Sequence, residues 1–355
     1  MTQTTNNTRP LGDTGMELSP LGLGTWVIAG RGWQYSWGAT DDTDSVAAIT
    51  HAVNGGVNWI DTAPAYGLGH AEELVGRALA GLPEADRPYV FTKAGLIWAD
   101  GDDPTGPPRR IMRPESVRAE LEGSLRRLRV DHVDLYQVHW PDTGAAFVYG
   151  ADSRVTDAAT PLAEYWQVMA DLKREGKVRA IGLSNHDAAQ LAEAERVAHV
   201  DAIQPPFSAL NRSAAGEIAW ARANRTGVIT YSPLQSGLLT GAFTAERAAA
   251  LGSDDWRSSH PDFTTGLAAN LALVEALRPI AARRAMSVAE VALAWNLAWP
   301  GVTGAIVGAR TPAQIDDWIG AGARALSVAD LAEIAAAIVD TGAGTGPVSS
   351  AGASA

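Results

Sequence analysis

The sequence predicts an α/β protein: a (β/α)8 TIM barrel with an N-terminal hairpin and extra C-terminal helices. Three observations lead there. Short β-rich runs alternate with longer amphipathic stretches eight times, with no break in composition. The strand candidates read as continuous apolar runs, such as VDLYQV and VRAIGL, as parallel strands covered by helices do. With 355 residues and 46% hydrophobic content, the chain is long enough for one large core. The competing arrangement is a doubly wound sheet with a second domain, and the unbroken repeat favours the barrel.

Residues 1–8 are polar and read as a flexible N-terminus, and residues 9–340 as a single barrel domain. The segment RPLGDTGMELSPLGLG reads as a hairpin turning at Asp13–Gly15, placed to floor the barrel. Strands are expected at Gly22–Val27, Val57–Asp61, Tyr89–Lys93, Val133–His139, Val178–Leu183, Ala202–Gln204, Gly227–Tyr231 and Ala305–Val307. Helices are expected at Asp44–Asn54, His70–Ala80, Pro114–Leu128, Leu162–Arg174, Ala188–Ala198, Ala214–Asn224, Val288–Leu297 and Pro312–Gly320. Start signals support several of them: Asp41–Asp44, Arg113-Pro114-Glu115 and Thr311-Pro312. In Pro114–Leu128 the residues Val117, Leu121, Leu125 and Leu128 form one stripe, with Arg118, Glu122 and Arg126 outside it. Asn270–Ala285 is an extra helix, and residues 341–355, rich in Gly, Ala and Ser, read as a disordered tail. Two long connections, Ala94–Met112 and Trp140–Pro161, leave C-terminal strand ends, where barrel enzymes build their sites.

Composition narrows the function. A net charge of −12 argues against coating nucleic acid or an anionic membrane. Without cysteine there is no disulfide and no thiolate metal site. None of the seven histidines shows the i, i+4 spacing of a zinc helix, so no metal is expected. The N-terminus has no apolar signal core, and no unbroken apolar stretch of about 18 residues appears, so a cytoplasmic protein is expected.

The stretch VNWIDTAPAYGLGHAEELVGRAL raises two readings. Gly67 and Gly69 suggest a nucleotide loop. The third glycine is missing, however, and the pair lies beyond the tight turn at the strand end. Asp61 and Tyr66 suggest catalysis. Asp61 ends one strand, Lys93 the next and His139 the one after, with Tyr66 just past the first. Each alone reads equally as a cap, a solvated terminus or a packing residue. Together, on one barrel rim, they place a carboxylate, an ammonium, a phenol and an imidazole around one point. Such a set suits proton transfer to a carbonyl oxygen. Tyr66 is the candidate acid, with its pKa expected to be lowered by the Lys93 ammonium. Asp61 would pair with Lys93, and a neutral His139 would orient the carbonyl by donating from one nitrogen. These groups supply no electrons, so a redox reaction needs a hydride donor.

At this point the sequence resembles the aldo-keto reductases over about residues 9 to 340. The resemblance rests on RPLGDTGMELSPLGLGTW, DTAPAYGLGHAEELVGRAL, TKAG, SLRRLRVDHVDLYQVHWPD, GKVRAIGLSNH, IQPPFSALNR, YSPLQSGLLTG and IVGARTPAQI. GTW, YSWGATDD and DDWRSSHPDF are similar to the bacterial general-stress branch related to potassium-channel β subunits. The resemblance implies Asp61, Tyr66, Lys93 and His139 as the catalytic tetrad and NADPH, with NADH second, at the C-terminal mouth. It implies that Ser184, Asn185 and Gln204 hold the nicotinamide carboxamide, whose amide needs matched donors and acceptors. Tyr231 would stack on the nicotinamide, and Ser232, Leu234, Gln235, Gly237, Leu238 and Leu239 would wrap the pyrophosphate. Gly24, Thr25 and Trp26, with Asp61, would lie near the nicotinamide.

The segment VGARTPAQIDDW resembles the adenosine-phosphate site, with Gly308, Arg310 and Gln314 at the cofactor. Better-known eukaryotic members carry a lysine in place of Gly308, an arginine in place of Gln314 and an asparagine in place of Trp318. Trp26, Trp33, Trp37, Trp98 and Trp140 are expected on mouth-side loops, lining an aromatic pocket for aldehydes and ketones of medium size; core packing is the competing reading. Two other functions fit the resemblance: a cofactor-binding regulatory subunit and an NAD-dependent sugar dehydrogenase. The intact tetrad and the acidic balance weigh against the regulator.

Overall fold

Each apolar run forms one covered strand, and the runs pair side by side until they close. The computed structural model describes residues 7–98, 101–148, 158–252 and 255–350. Residues 1–6 of the expected flexible N-terminus and 351–355 of the expected tail lie outside the described residues, as do 99–100, 149–157 and 253–254 within the mouth-side connections.

The strands are β1 (Arg9–Pro10), β2 (Glu17–Leu18), β3 (Leu21–Gly24), β4 (Trp59–Asp61), β5 (Tyr89–Ala94), β6 (Leu96–Ile97), β7 (Arg109–Arg110), β8 (Val133–Val138), β9 (Val178–Ser184), β10 (Ala202–Gln204), β11 (Gly227–Thr230) and β12 (Gly304–Gly308). The barrel runs β3-β4-β5-β8-β9-β10-β11-β12 and closes on β3, every pair parallel. The helices are α1 (Asp42–Asn54), α2 (His70–Ala80), α3 (Pro114–Leu128), α4 (Leu162–Arg174), α5 (Ala188–Glu195), α6 (Ala215–Ala223), α7 (Ala245–Ala249), α8 (Leu267–Arg284), α9 (Val288–Ala298), α10 (Pro312–Asp316) and α11 (Val328–Thr341).

Differences from the sequence reading have local causes. α1 starts at Asp42 because the Asp41 carboxylate accepts from the backbone N–H groups of Thr43 and Asp44. α5 ends at Glu195, whose carboxylate accepts from the N–H of Val200 and turns the chain out. β3 stops at Gly24 because the Thr25 N–H donates to the carbonyl of Asp61, and a 3-10 turn at Trp26–Ile28 follows. The connection after β5 holds its own hairpin, β6 against β7. Helix α11 was not placed by periodicity, although Ser327 and Asp330 form a capping box at its start.

The N-terminal hairpin, β1 against β2, closes one end of the barrel. Leu11, Met16 and Leu18 pack with Trp59, Phe91, Leu135, Ala202, Ile229 and Ile306 in one apolar cluster. Strand alternation then carries Lys93 into the same interior and turns Thr92 outward. Behind β5, the Glu72 carboxylate of α2 accepts from Thr92 Oγ1 at 2.6 Å and from Arg127 Nε at 2.7 Å. The Glu120 carboxyl of α3 accepts from the Gly95 N–H at 3.1 and 3.2 Å. Both ends of the lysine-bearing segment are thus held from outside the barrel.

The tail differs most from expectation. Gly342–Pro347 pack against the loop after β10. Arg212 is buried among backbone carbonyls: those of Ala209, Ala343, Gly346 and Pro347 accept from its guanidinium. Thr345 and the 210–212 segment exchange backbone hydrogen bonds at 2.8 and 3.0 Å. The glycines that suggest disorder serve close approach instead: a Cβ on Gly344 (φ +67°) would lie 2.0 Å from the Leu210 carbonyl oxygen.

Truncation after Thr341 removes three of the four carbonyls around the Arg212 guanidinium. It should lower unfolding free energy by about 3–5 kcal/mol, the loss typical of uncovering a buried charge. Urea denaturation measures this, and an unchanged midpoint would refute the clasp. A second outcome concerns Glu120. Burial, aided by the Glu72 carboxylate, pushes its carboxyl up to about 8. Between the ordinary carboxylate range and pH 8 the folded protein keeps a proton that the unfolded chain has released, so stability falls as pH rises through that window. Glu120→Gln, which keeps an acceptor for Gly95 but cannot ionise, should flatten the slope; urea midpoints at pH 5 to 9 that fall as in the parent would count against it.

Candidate active site

Three strand ends bring the catalytic candidates together. Lys93, 0% exposed, reaches the barrel axis from β5, and a buried ammonium needs a counter-charge. Its Nζ donates to Asp61 Oδ2 at 2.5 Å, to the Thr62 carbonyl at 3.0 Å and to the Tyr66 hydroxyl at 3.1 Å. The Tyr66 and His139 rings lie 5.7 Å apart, nearly perpendicular. All four predicted groups therefore share one site.

Asp61 is fixed on every side. Its carbonyl accepts from the Thr25 N–H and hydroxyl at 3.0 and 3.1 Å. Its Oδ1 accepts from Gln204 Nε2 at 2.7 Å and Gln137 Nε2 at 3.3 Å. Gln137, buried on β8, escaped the sequence reading; its position as the direct register partner of Lys93 was the available signal.

The electrostatics correct one expectation. The Tyr66 pKa is raised, not lowered: burial pushes the phenol well up and the Asp61 carboxylate adds to it, which together outweigh the Lys93 ammonium. The ammonium is neutralised at 2.5 Å by Asp61, so the phenol meets an ion pair and not a free cation. Burial also pulls Lys93 down against the opposing pull of Asp61. His139 is held well below its ordinary value by burial and by Lys93, so its imidazole is neutral.

The loop bearing Tyr66 is tightly built. A Cβ on Gly67 (φ +62°) would lie 2.2 Å from the Ala29 carbonyl oxygen, and one on Gly69 would meet Arg127 Cδ at 2.6 Å. These glycines admit the backbone of one neighbour and the arginine stem of another. They do not make a flexible loop.

The polar residues expected at the nicotinamide form one chain of hydrogen bonds. Ser184 Oγ donates to the Gln204 carbonyl at 2.8 Å, and Asn185 Nδ2 to the His139 carbonyl at 2.9 Å. The Tyr231 hydroxyl donates to Asn185 Oδ1 at 2.8 Å. Beyond it, Ser232, Gln235, Ser236 and Gly237 all have positive φ. Gln235 accepts from Ser208 Oγ and donates to Asp262 Oδ2 at 2.6 Å, tying this loop to its neighbours. Leu238 and Leu239 turn their side chains into the core, and Leu234 packs against it while its carbonyl accepts from the N–H groups of Gly237 and Leu239. Gly24 lies against Ile306, and Gly308 against Val27.

At the far edge, Arg310 Nη2 donates to the Trp37 carbonyl at 2.7 Å, and its backbone N–H donates to Gln314 Oε1 at 2.7 Å. Arg257, another residue the sequence reading did not single out, lies over the Trp37 ring at 5.0 Å. Burial and this second guanidinium lower the Arg310 pKa. Trp318 is a buried core residue.

The tryptophans divide. Trp26 stacks on Tyr66 at 5.6 Å, and Trp33, Trp98 and Trp140 join the same apolar cluster with Tyr35 and Phe147. Trp37 departs from the substrate-pocket expectation: it sits outside that cluster, between Arg257 and Arg310. Its carbonyl and ring face cations there, beside Arg310, which the sequence reading expects at the adenosine phosphate.

Among the described residues, no cluster of three or more His, Asp or Glu could hold a metal ion, and no helix is long and apolar enough to cross a membrane.

With this geometry in hand, comparison with known proteins is direct. The pattern of the Aldo/keto reductase family matches residues 20–339. The chain is 37% identical to the aldo-keto reductase YhdN of Bacillus subtilis (strain 168), over 86% of each chain. It is 34% identical to the NADH-specific methylglyoxal reductase of Escherichia coli (strain K12), over 88% of this chain and 92% of that one. Among solved structures, the glycerol dehydrogenase AKR11B4 from Gluconobacter oxydans superposes with a TM-score of 0.83 and 34% identity, over 95% of this chain and 96% of that one. By sequence and by fold, the chain belongs to the aldo/keto reductase family.

Proposed function

We propose that this NAD(P)H-dependent oxidoreductase reduces aldehydes or ketones to alcohols with Tyr66 as the general acid. The observation that carries the reading is the Asp61–Lys93–Tyr66 chain at 2.5 and 3.1 Å, with neutral His139 beside it. A bound reduced nicotinamide supplies the hydride. The residues present fit such a cofactor: an amide-matched set at Ser184, Asn185 and Gln204, a tyrosine ring, a left-handed backbone run and two guanidinium groups.

The protein's own groups handle the proton. His139 donates one ring N–H to the carbonyl oxygen and orients it. Tyr66, kept protonated by burial and by Asp61, holds the proton that the oxygen takes as charge develops. The Lys93 ammonium, 3.1 Å from the phenol oxygen, stabilises the phenolate left behind. Asp61 keeps Lys93 charged and aimed, and Gln204 and Gln137 keep Asp61 aimed. Trp26 and its aromatic neighbours exclude water from the phenol.

The cofactor reading is NADPH. Arg257 and Arg310 repel one another at the far edge, and an added phosphate relieves that repulsion while giving both forks an acceptor. Asp255 already grips Arg257, so Arg310 carries the larger share. The chemistry of the site fits a small carbonyl substrate, and nothing in it calls for a metal.

Tyr66→Phe should lower kcat by about 10²–10⁴-fold while cofactor affinity holds, because only a hydroxyl is removed. Steady-state kinetics and cofactor titration check this; near-normal turnover excludes Tyr66 as the acid. Binding of cofactor by the parent without turnover of any carbonyl compound would instead favour a regulatory subunit. Arg310→Ala should raise KM for NADPH about tenfold or more and leave KM for NADH within about twofold, as expected for one charge-assisted contact. Equal effects on the two cofactors would reject the phosphate role.

A further inference from the structure

Among the described residues Arg110 has no ion-pair partner, and it lies beside the catalytic pocket. It ends β7, and its Cα pairs with that of Leu96, a member of the apolar cluster that contains Tyr66. Its guanidinium carbon lies 5.6 Å from the ring centroid of Trp140 and 5.6 Å from that of Phe147. Trp140 follows His139 in the chain, and both rings belong to the wall around Tyr66. The guanidinium therefore covers the rim of the pocket at the substrate-orienting histidine.

Its hydrogen bonding is incomplete. A guanidinium has five N–H donors. Nη1 donates to Thr143 Oγ1 at 3.2 Å, while Nε is buried and has no acceptor. The neighbouring arginine shows the ordinary arrangement, with Arg109 paired to Asp102 at 2.8 Å. Asp142, the carboxylate that acts electrostatically on Arg110, is committed to the backbone N–H groups of Met112, Gly144 and Thr160. It acts on Arg110 only at a distance, and burial outweighs it in lowering the Arg110 pKa. In a chain of net charge −12, an arginine held over two rings with donors unfilled is a built feature.

We infer that Arg110 anchors the anionic end of the substrate, so that the preferred compounds are aldehydes or ketones carrying a carboxylate away from the carbonyl. The planar fork suits a carboxylate, and the aromatic wall suits the carbon skeleton between the two groups. The inference rests on the reductase reading and deepens it by naming a substrate class.

The test compares benzaldehyde with 4-carboxybenzaldehyde, and butanal with its ω-carboxylate analogue, in the parent, Arg110→Met and Arg110→Lys. Methionine keeps the apolar stem over the rings, and lysine keeps the charge without the fork. The parent should favour the carboxylate member of each pair. Arg110→Met should raise its KM about tenfold to a hundredfold, the range of one charge-assisted interaction, and leave the neutral member within about twofold. Arg110→Lys should fall between. Turnover of the neutral compound also shows that each variant is folded. Equal effects on both members of a pair, or none on either, would overturn the anchor. If the parent turns over none of the four, the reductase reading fails separately, and tryptophan quenching still decides the anchor: 4-carboxybenzaldehyde must bind at least about tenfold more tightly than benzaldehyde, and must lose that advantage in Arg110→Met.

Discussion

The ion pair between Lys93 and Asp61 is the constraint on which the site depends. An ammonium with 0% exposure inside a barrel is tolerable only with its charge matched and its donors filled. Asp61 matches the charge, and the Thr62 carbonyl and the Tyr66 hydroxyl fill the donors. The pair in turn dictates its surroundings. Asp61 has lone pairs left over, and two buried glutamines meet them. The phenol that completes the lysine's shell is brought in by a loop whose glycines let it pass against Ala29 and Arg127. The reactive hydroxyl is thus placed partly by the needs of a buried cation.

A second polar layer lies outside the barrel and supports the first. Glu72 joins α2 to β5 through Thr92 and to α3 through Arg127, and Glu120 holds the backbone at Gly95. Lys93 lies between these two attachments in the chain, so its backbone has little freedom to shift. Arg127 also packs on Gly69, which links the lysine strand to the tyrosine loop through one side chain. The two layers make the relative positions of Tyr66 and Lys93 a property of three helices and strands together.

Much of this was legible in the sequence. The helices at His70–Ala80, Pro114–Leu128 and Leu162–Arg174 have the boundaries read from the sequence, the second with proline at its start. Period and capping are local signals, and here tertiary packing agrees with them. The four catalytic candidates were legible because ionisable groups at the ends of apolar strands have few uses other than a site. Gln137, Glu72 and Glu120 were not, since a buried amide or carboxylate in the middle of a segment is indistinguishable in sequence from a solvated one. The direction of the Tyr66 shift was missed because proximity of an ammonium is readable from topology, whereas the burial of the phenol and the closeness of the Asp61 carboxylate are not. Trp37 was assigned to the pocket by its place on a mouth-side loop, and only the fold shows its carbonyl and ring turned to Arg310 and Arg257. Gly-rich composition misled at the tail, where small residues permit contact as readily as freedom.

The clasp on Arg212 gives the chain an order of assembly. Arg212 lies in the loop after β10, and that loop's Ser208 holds Gln235 in the run of left-handed backbone after β11. Residues 343–347, which supply most of the carbonyls around Arg212, come more than 100 positions later. During synthesis the barrel wall can form while this edge of the mouth still waits for its last partners. This edge of the mouth is therefore completed only after residues 343–347 have been made and have folded back onto Arg212, whatever the order in which the strands of the wall pair.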